Sequence, residues 1–181
     1  MHSTRGMVTN DPLVIEAQSI NKKRGSNRTV ADEARGRLIE AILALWVDAE
    51  GRPTVPAHAL RACIERGARA LRQGAQVRGG LVIASVGEFD YGQDGPQSQQ
   101  DVAAERLFVV PVMVGQSRVL RARPKFDEWA VSFMVDTDPE LVDESQLDRW
   151  LDIAGRRVGL GDWRPEKSGH YGRFTHTITT A

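Results

Sequence analysis

The feature that most constrains this chain is an apolar stripe in its second quarter. Leu60, Cys63, Ile64, Gly67, Ala68 and Leu71 recur at the three- and four-residue spacing of one helix face. Arg61, Glu65, Arg69 and Arg72 share the opposite face at the same spacing. The pattern predicts an amphipathic helix from Thr54 or Val55 to about residue 73, with Gly74 placed to end it. Such a helix must lay its apolar face on something, and the chain offers strands. Trp129, Val131, Phe133 and Val135 alternate with Ala130, Ser132, Met134 and Asp136, the two-residue period of a half-buried strand. Leu81–Val86 reads as a short buried strand, and Leu107–Val114 as a strand that Arg118–Arg121 extends or pairs with.

The remaining elements follow from local signals. Leu13–Ile20 alternates loosely and reads as a first strand, with Pro12 at its start, followed by a polar, basic loop over residues 21–28. Thr29 with Asp32 three residues on has the spacing of a capping box, which predicts a helix from Val30; its pattern fits either continuation to Leu45 or, the preferred reading, an end near Glu40 and then a strand over Leu43–Val47. Asp143 with Gln146 caps a later helix whose Leu147, Trp150, Leu151, Ala154 and Val158 line one face. Phe174–Thr179 reads as a threonine-rich closing strand. Strand, strand, helix, Gly-rich loop and strand, after an earlier helix and strand, predict an α+β, ferredoxin-like (RRM-like) antiparallel sheet with helices on one face.

The chain of 181 residues is expected to form a single domain, with residues 1–10 flexible and residues 87–105 a loop insertion. Cys63 is the one cysteine, which excludes an internal disulfide and agrees with a reducing, cytoplasmic setting; its place on the apolar stripe predicts a packed thiol. No apolar run nears the ~20 residues that span a bilayer. The histidines, His2, His58, His170 and His176, are scattered without metal-ligand spacing, so neither a metal nor another cofactor is expected.

Net charge is zero, but its distribution is segregated. From Arg52 to Gly80 six arginines face the single acid Glu65, and from Gly115 to Phe126 there are four bases and no acid. From Asp127 to Asp152 nine acids accompany only Arg149. This predicts a basic face and an acidic face, suited to binding phosphates or to docking on a partner or on copies of itself. In an extended Arg118–Pro124 segment, Arg121 and Arg123 point the same way about 7 Å apart, a separation that matches successive phosphates.

The most distinctive segment runs from Gly155 to Phe174, with five glycines and the bases Arg164 and Lys167 at its centre. Glycines admit close backbone approach to a phosphate, bases neutralise it, and Trp163 or Tyr171 can stack on a nucleobase. The alternative is a long structured turn whose Trp163 and Phe174 fill the core. The segment lacks the spacing of a P-loop, and Gly159-Leu160-Gly161 follows a helix where a dinucleotide fingerprint follows a strand.

The Gly-rich stretch between the last helix and the last strand resembles that of the RAMP superfamily, the RNA-binding proteins of CRISPR effector complexes. Asp48–Arg61 is similar to the turn that opens the first helix of the family's ferredoxin-like core. The chain departs from the family in offering only residues 86–106 for a thumb insertion, and in having no histidine that matches the base of its processing nucleases. The overall pattern also resembles bacteriophage and prophage proteins. The resemblance implies a non-catalytic module that binds single-stranded nucleic acid, RNA before DNA. Arg61, Arg69, Arg72, Arg118, Arg121, Arg123, Arg164, Lys167 and Arg173 would contact phosphates, and Tyr171 would stack. A protein that binds a partner, such as an inhibitor or mimic of a CRISPR-type complex, is the second expectation. A metal-independent RNA-cleaving enzyme using His58 or His170 is the third.

Overall fold

A computed structural model describes residues 10–23, 27–92 and 98–179. The expected flexible start therefore lies almost wholly outside the described residues, as does the centre of the 21–28 loop. The protein is mixed α+β, with helices α1 (Pro12–Lys22), α2 (Val30–Ala44), α3 (Ala57–Arg69), α4 (Gly74–Gly80), α5 (Gln99–Glu105) and α6 (Glu144–Ile153). Strands β1 (Leu81–Asp90) and β4 (Ala130–Thr137) form one two-stranded sheet; β2 (Leu107–Val114) and β3 (Ser117–Pro124) form another. The chain divides into two compact units, residues 1–54 with 89–130 and residues 55–88 with 131–181. No helix among the described residues is long and apolar enough to cross a membrane.

In the first unit the expected strand over Leu13–Ile20 is instead α1. The Asp11 carboxylate accepts from the Leu13 N–H at 2.8 Å and Pro12 occupies the first turn, so an N-terminal cap outweighs the β-branched residues. Arg35 of α2 grips Glu16 of α1 through two bonds of 2.7 and 2.8 Å. The capping box at Thr29 and Asp32 is present, and α2 runs past Glu40 to Ala44, two residues into the expected strand, with Ile39, Ala41 and Ile42 buried along it. Val47 keeps only an isolated bridge to Pro53. Ala41 and Ile42 pack with Ala103 of α5 and Ala122 of β3. The stretch expected as a loop insertion thus begins within β1 and ends in α5, a helix capped by Ser98 on the Asp101 N–H.

β2 and β3 pair as expected, Val114 opposite Ser117 across a two-residue turn in which Gly115 has φ 62°. Pro111 lies opposite Leu120. Lacking an N–H, Pro111 turns no donor to its outer edge, which protects that edge from stray pairing.

In the second unit the expected long helix is shorter at both ends. α3 ends at Arg69, Arg72 adopts a left-handed φ of 62°, and Gly74 opens α4 instead of stopping the chain. Without a Cβ, Gly74 sits close against the Arg69 side chain, where a Cβ would stand 2.6 Å from Cγ. α3 and α6 meet at Gly67, where a Cβ would lie 2.4 Å from the Trp150 carbonyl oxygen. Trp150 is fully buried, and its indole N–H donates to Gln73 Oε1 at 2.8 Å. Around it gather Ile64, Val77, Leu81, Val142 and Leu147, with Phe133 and Val135 of β4 turned inward.

β1 and β4 are antiparallel. The Asp138 N–H donates to the Gly80 carbonyl at 3.0 Å, and Gly87 lies against Ser132. Residues 174–179, expected as a closing strand, carry no strand assignment, yet their side chains alternate: Phe174, His176 and Ile178 half-buried, Thr175, Thr177 and Thr179 exposed. Ile178 packs on the core and His176 Nε2 lies 2.9 Å from Asp148 Oδ1.

Two outcomes follow. Gly67→Ala drives a methyl into backbone and should destabilise by ~1–3 kcal/mol, whereas Gly36→Ala, in open van der Waals contact within α2, should stabilise by ~0.5–1 kcal/mol; thermal unfolding monitored by circular dichroism reads both. Hydrogen bonds from Lys23 and Thr29 lower the Asp32 pKa from 3.8 to about 2, so its stabilising share is complete above 3.8 and lost as pH falls toward 2. The Tm deficit of Asp32→Ala should narrow over that window.

Candidate nucleic-acid interface

The Gly-rich segment is built on the end of α6. The helix widens into a π turn over Ala154–Val158 and stops at Gly159, whose φ is 76°. The chain then runs out and returns on itself. Leu160 N–H donates to the Gly172 carbonyl at 2.9 Å, Tyr171 N–H to Trp163 at 3.2 Å, and Gly169 N–H to Arg164 at 3.0 Å. At its tip Pro165–Lys167 form a short 3-10 turn closed by Ser168 at φ 60°.

Four of the five glycines serve this fold-back; at Gly159 a Cβ would stand 2.7 Å from Pro165 Cδ. A Cβ would stand 2.1 Å from the Phe174 carbonyl oxygen at Gly155, 1.7 Å from that of Trp163 at Gly169, and 1.9 Å from that of Leu160 at Gly172. Their lack of a side chain is taken up by the protein's own backbone. Gly161 differs: its φ is 76° and, among the described residues, no atom lies within 4 Å of the Cβ position.

What the fold-back presents outward is aromatic and basic. Trp163 is held at φ 54°, with the His170 and Tyr171 rings at 6.4 and 5.8 Å. Tyr171 is 37% exposed. Lys167, Arg157 and Arg173 are exposed, and Arg173 Nε donates to the Arg156 carbonyl at 3.4 Å. Arg156 reaches Asp152 at 2.8 Å. Among the described residues, Lys167 and Arg157 have no acidic partner. The sequence reading missed Arg156 and Arg157, although two adjacent bases at a helix C-terminus, where the dipole is negative, were a signal.

The other arginines singled out from sequence are arranged differently. Three glutamates among the described residues each stand between two arginines. Glu65 takes Arg69 at 2.7 Å and Arg78 at 2.8 Å, and these bonds, Arg78 first, hold its pKa below the usual 4.5. Glu166 takes Arg66 at 3.1 Å and Arg164 at 2.8 Å; Arg164 also donates to the Gly161 carbonyl at 2.9 Å. Glu40 takes Arg121 at 3.3 Å and Arg123 at 2.8 Å, and accepts the Ala122 N–H at 3.1 Å. The strand geometry that puts Arg121 and Arg123 on one side is real, but a carboxylate of the chain occupies the place of a phosphate between them.

Arg61 donates to the carbonyls of Arg78 at 3.0 Å and Leu81 at 3.3 Å, where it satisfies the end of α4. Arg72 and Arg118 are exposed, with no polar partner among the described residues. Arg118, Arg121 and Arg123 belong to the first unit; Arg61, Arg69, Arg72, Arg164, Lys167, Tyr171 and Arg173 belong to the second. Within the second unit, the residues gathered at the fold-back are Arg164, Lys167, Tyr171 and Arg173.

No family model matches the chain, nor does any curated protein or solved structure.

Cys63 lies beneath this site, donating to the Gly159 carbonyl at 3.3 Å, and burial pushes its thiol up to about 12. Thiol-specific reagent at mildly alkaline pH should leave the native protein unlabelled and label it promptly once denatured. Rapid labelling of the native state would contradict the packing of Cys63 beneath Gly159.

Proposed function

We propose that this chain is a non-catalytic, RAMP-like module that binds single-stranded nucleic acid, RNA in preference to DNA, through the outer face of the 155–174 fold-back. The observation that carries the reading is the company Tyr171 keeps: an exposed ring beside Trp163, with Lys167, Arg157 and Arg173 exposed on the same segment. Aromatic faces stack on any base, and exposed cations without an acidic partner among the described residues can neutralise phosphates. Left-handed backbone at Trp163 and Ser168 supports it further, since non-glycine residues adopt that conformation at a cost of ~1–3 kcal/mol and such strain concentrates at binding sites.

The ferredoxin-like part of the proposal draws on element order. In α3, β1, β4, α6 and the alternating segment 171–179, the second unit has the succession of a split βαβ core without its first strand. The stretch between β1 and β4 contains α5, β2 and β3, a larger insertion than residues 86–106 promised. The arginines clamped by Glu40, Glu65 and Glu166 have their charge largely compensated, so the proposal rests on Lys167, Arg157, Arg173, Tyr171 and Trp163.

Fluorescence anisotropy with labelled single-stranded RNA, single-stranded DNA and duplex, across a salt series, tests it. Replacing Arg157, Lys167 and Arg173 together by Ala should lower the salt slope for a single strand by about two. Tyr171→Ala should cost ~1–3 kcal/mol of affinity with the slope unchanged. Absence of binding at low salt, or a triple variant with wild-type affinity and slope, would overturn the reading.

A further inference from the structure

The two strand pairs carry opposite charge. Neither β1 nor β4 contains a lysine or arginine, while Glu88, Asp90 and Asp136 are exposed on them. Neither β2 nor β3 contains an aspartate or glutamate, and Arg118 is exposed on β3. Both pairs also leave apolar side chains in water. Directly opposed residues of an antiparallel pair share a face, so Pro111 with Leu120 and Met113 with Arg118 make one surface at the turn end of the β2–β3 hairpin. Met113 is 65% and Leu120 50% exposed. On the outward face of the β1–β4 ribbon, Val82 is 61% and Met134 58% exposed, with Asp136 two positions from Met134 and therefore on the same side.

We propose that these surfaces dock on each other between copies of the chain, the hairpin of one copy lying on the ribbon of another, with Arg118 facing Asp136. Each is a two-stranded apolar surface with a charge of one sign, and the signs are opposite. That is the complementarity a heterologous contact requires, and a self-complementary one does not. The occupant is a second copy because one chain supplies both halves. Pro111 keeps the hairpin from adding edge to edge, which leaves face-on-face packing as the mode of contact. Two strands against two strands bury a small area, so the association belongs to the weak class of interfaces. The proposal is independent of nucleic-acid binding.

Sedimentation velocity on the full chain over a concentration and salt series is the test. The wild type should show mass-dependent association that weakens with salt. Leu120→Glu should abolish it, and Arg118→Glu or Asp136→Arg should each weaken it about tenfold, the factor of one lost favourable pair worth about 1.4 kcal/mol. Mixing Arg118→Glu protein with Asp136→Arg protein should restore a complex, since the hairpin of the first then meets the ribbon of the second with its charges exchanged. All substitutions are at exposed positions, and circular dichroism confirms that each variant is folded. A wild type that is strictly monomeric at low salt, or association that neither reversal weakens, overturns the proposal. So does a mixture no stronger than its components.

Discussion

The second unit depends on one close approach, that of α3 and α6 at Gly67. The Trp150 carbonyl can come so near only because Gly67 has no Cβ, and this contact lets the largest buried side chain of the unit sit at its centre with its N–H satisfied by Gln73. From that fixed point α6 is aimed so that its π turn and the Gly-rich fold-back emerge at the level of Cys63 and Phe174. The site therefore stands on two packed helices, although its own residues are in a loop. That is the common arrangement of binding loops on rigid scaffolds.

A second regularity governs the charges. Each bridging glutamate takes the place between two guanidinia that an external anion would take, and each leaves its trio with a single net positive charge. All three trios join separate elements: Glu65 ties α3 to α4, Glu166 ties the fold-back to α3, and Glu40 ties α2 to the edge of β3. Most of the arginines prominent in the sequence thus act in holding elements together, and among the exposed cations outside these trios Lys167, Arg157 and Arg173 share the fold-back. Arginine pairs read as a phosphate ladder from strand periodicity alone can be internal hydrogen-bonding groups once a carboxylate from another element reaches them.

How much was legible in the residues varied with the range of the interaction. Both capping boxes were readable, because Thr29–Asp32 and Asp143–Gln146 are bonds between residues three apart. The alternation in β4 and the apolar stripe of α3 were readable for the same reason: face periodicity is local. The strand expected at Leu13–Ile20 failed because a cap one residue away and packing on α2 outweighed weak alternation. The helix expected to residue 73 ends at Arg69, Arg72 is left-handed, and Gly74 opens α4.

The sequence by itself determined the class of the protein, α+β without a disulfide, the positions of its capped helices, and the segregation of its charge, since these depend on composition and on neighbours along the chain. Only the tertiary structure decided which charges are free. Glu40 lies far in sequence from Arg121 and Arg123, and Glu166 equally far from Arg66, so no spacing rule announces those pairs. It likewise decided what the glycines are for. Whether a missing Cβ makes room for a ligand or for the chain's own carbonyl depends on what folds back against it, and at Gly155, Gly169 and Gly172 that neighbour is the protein itself.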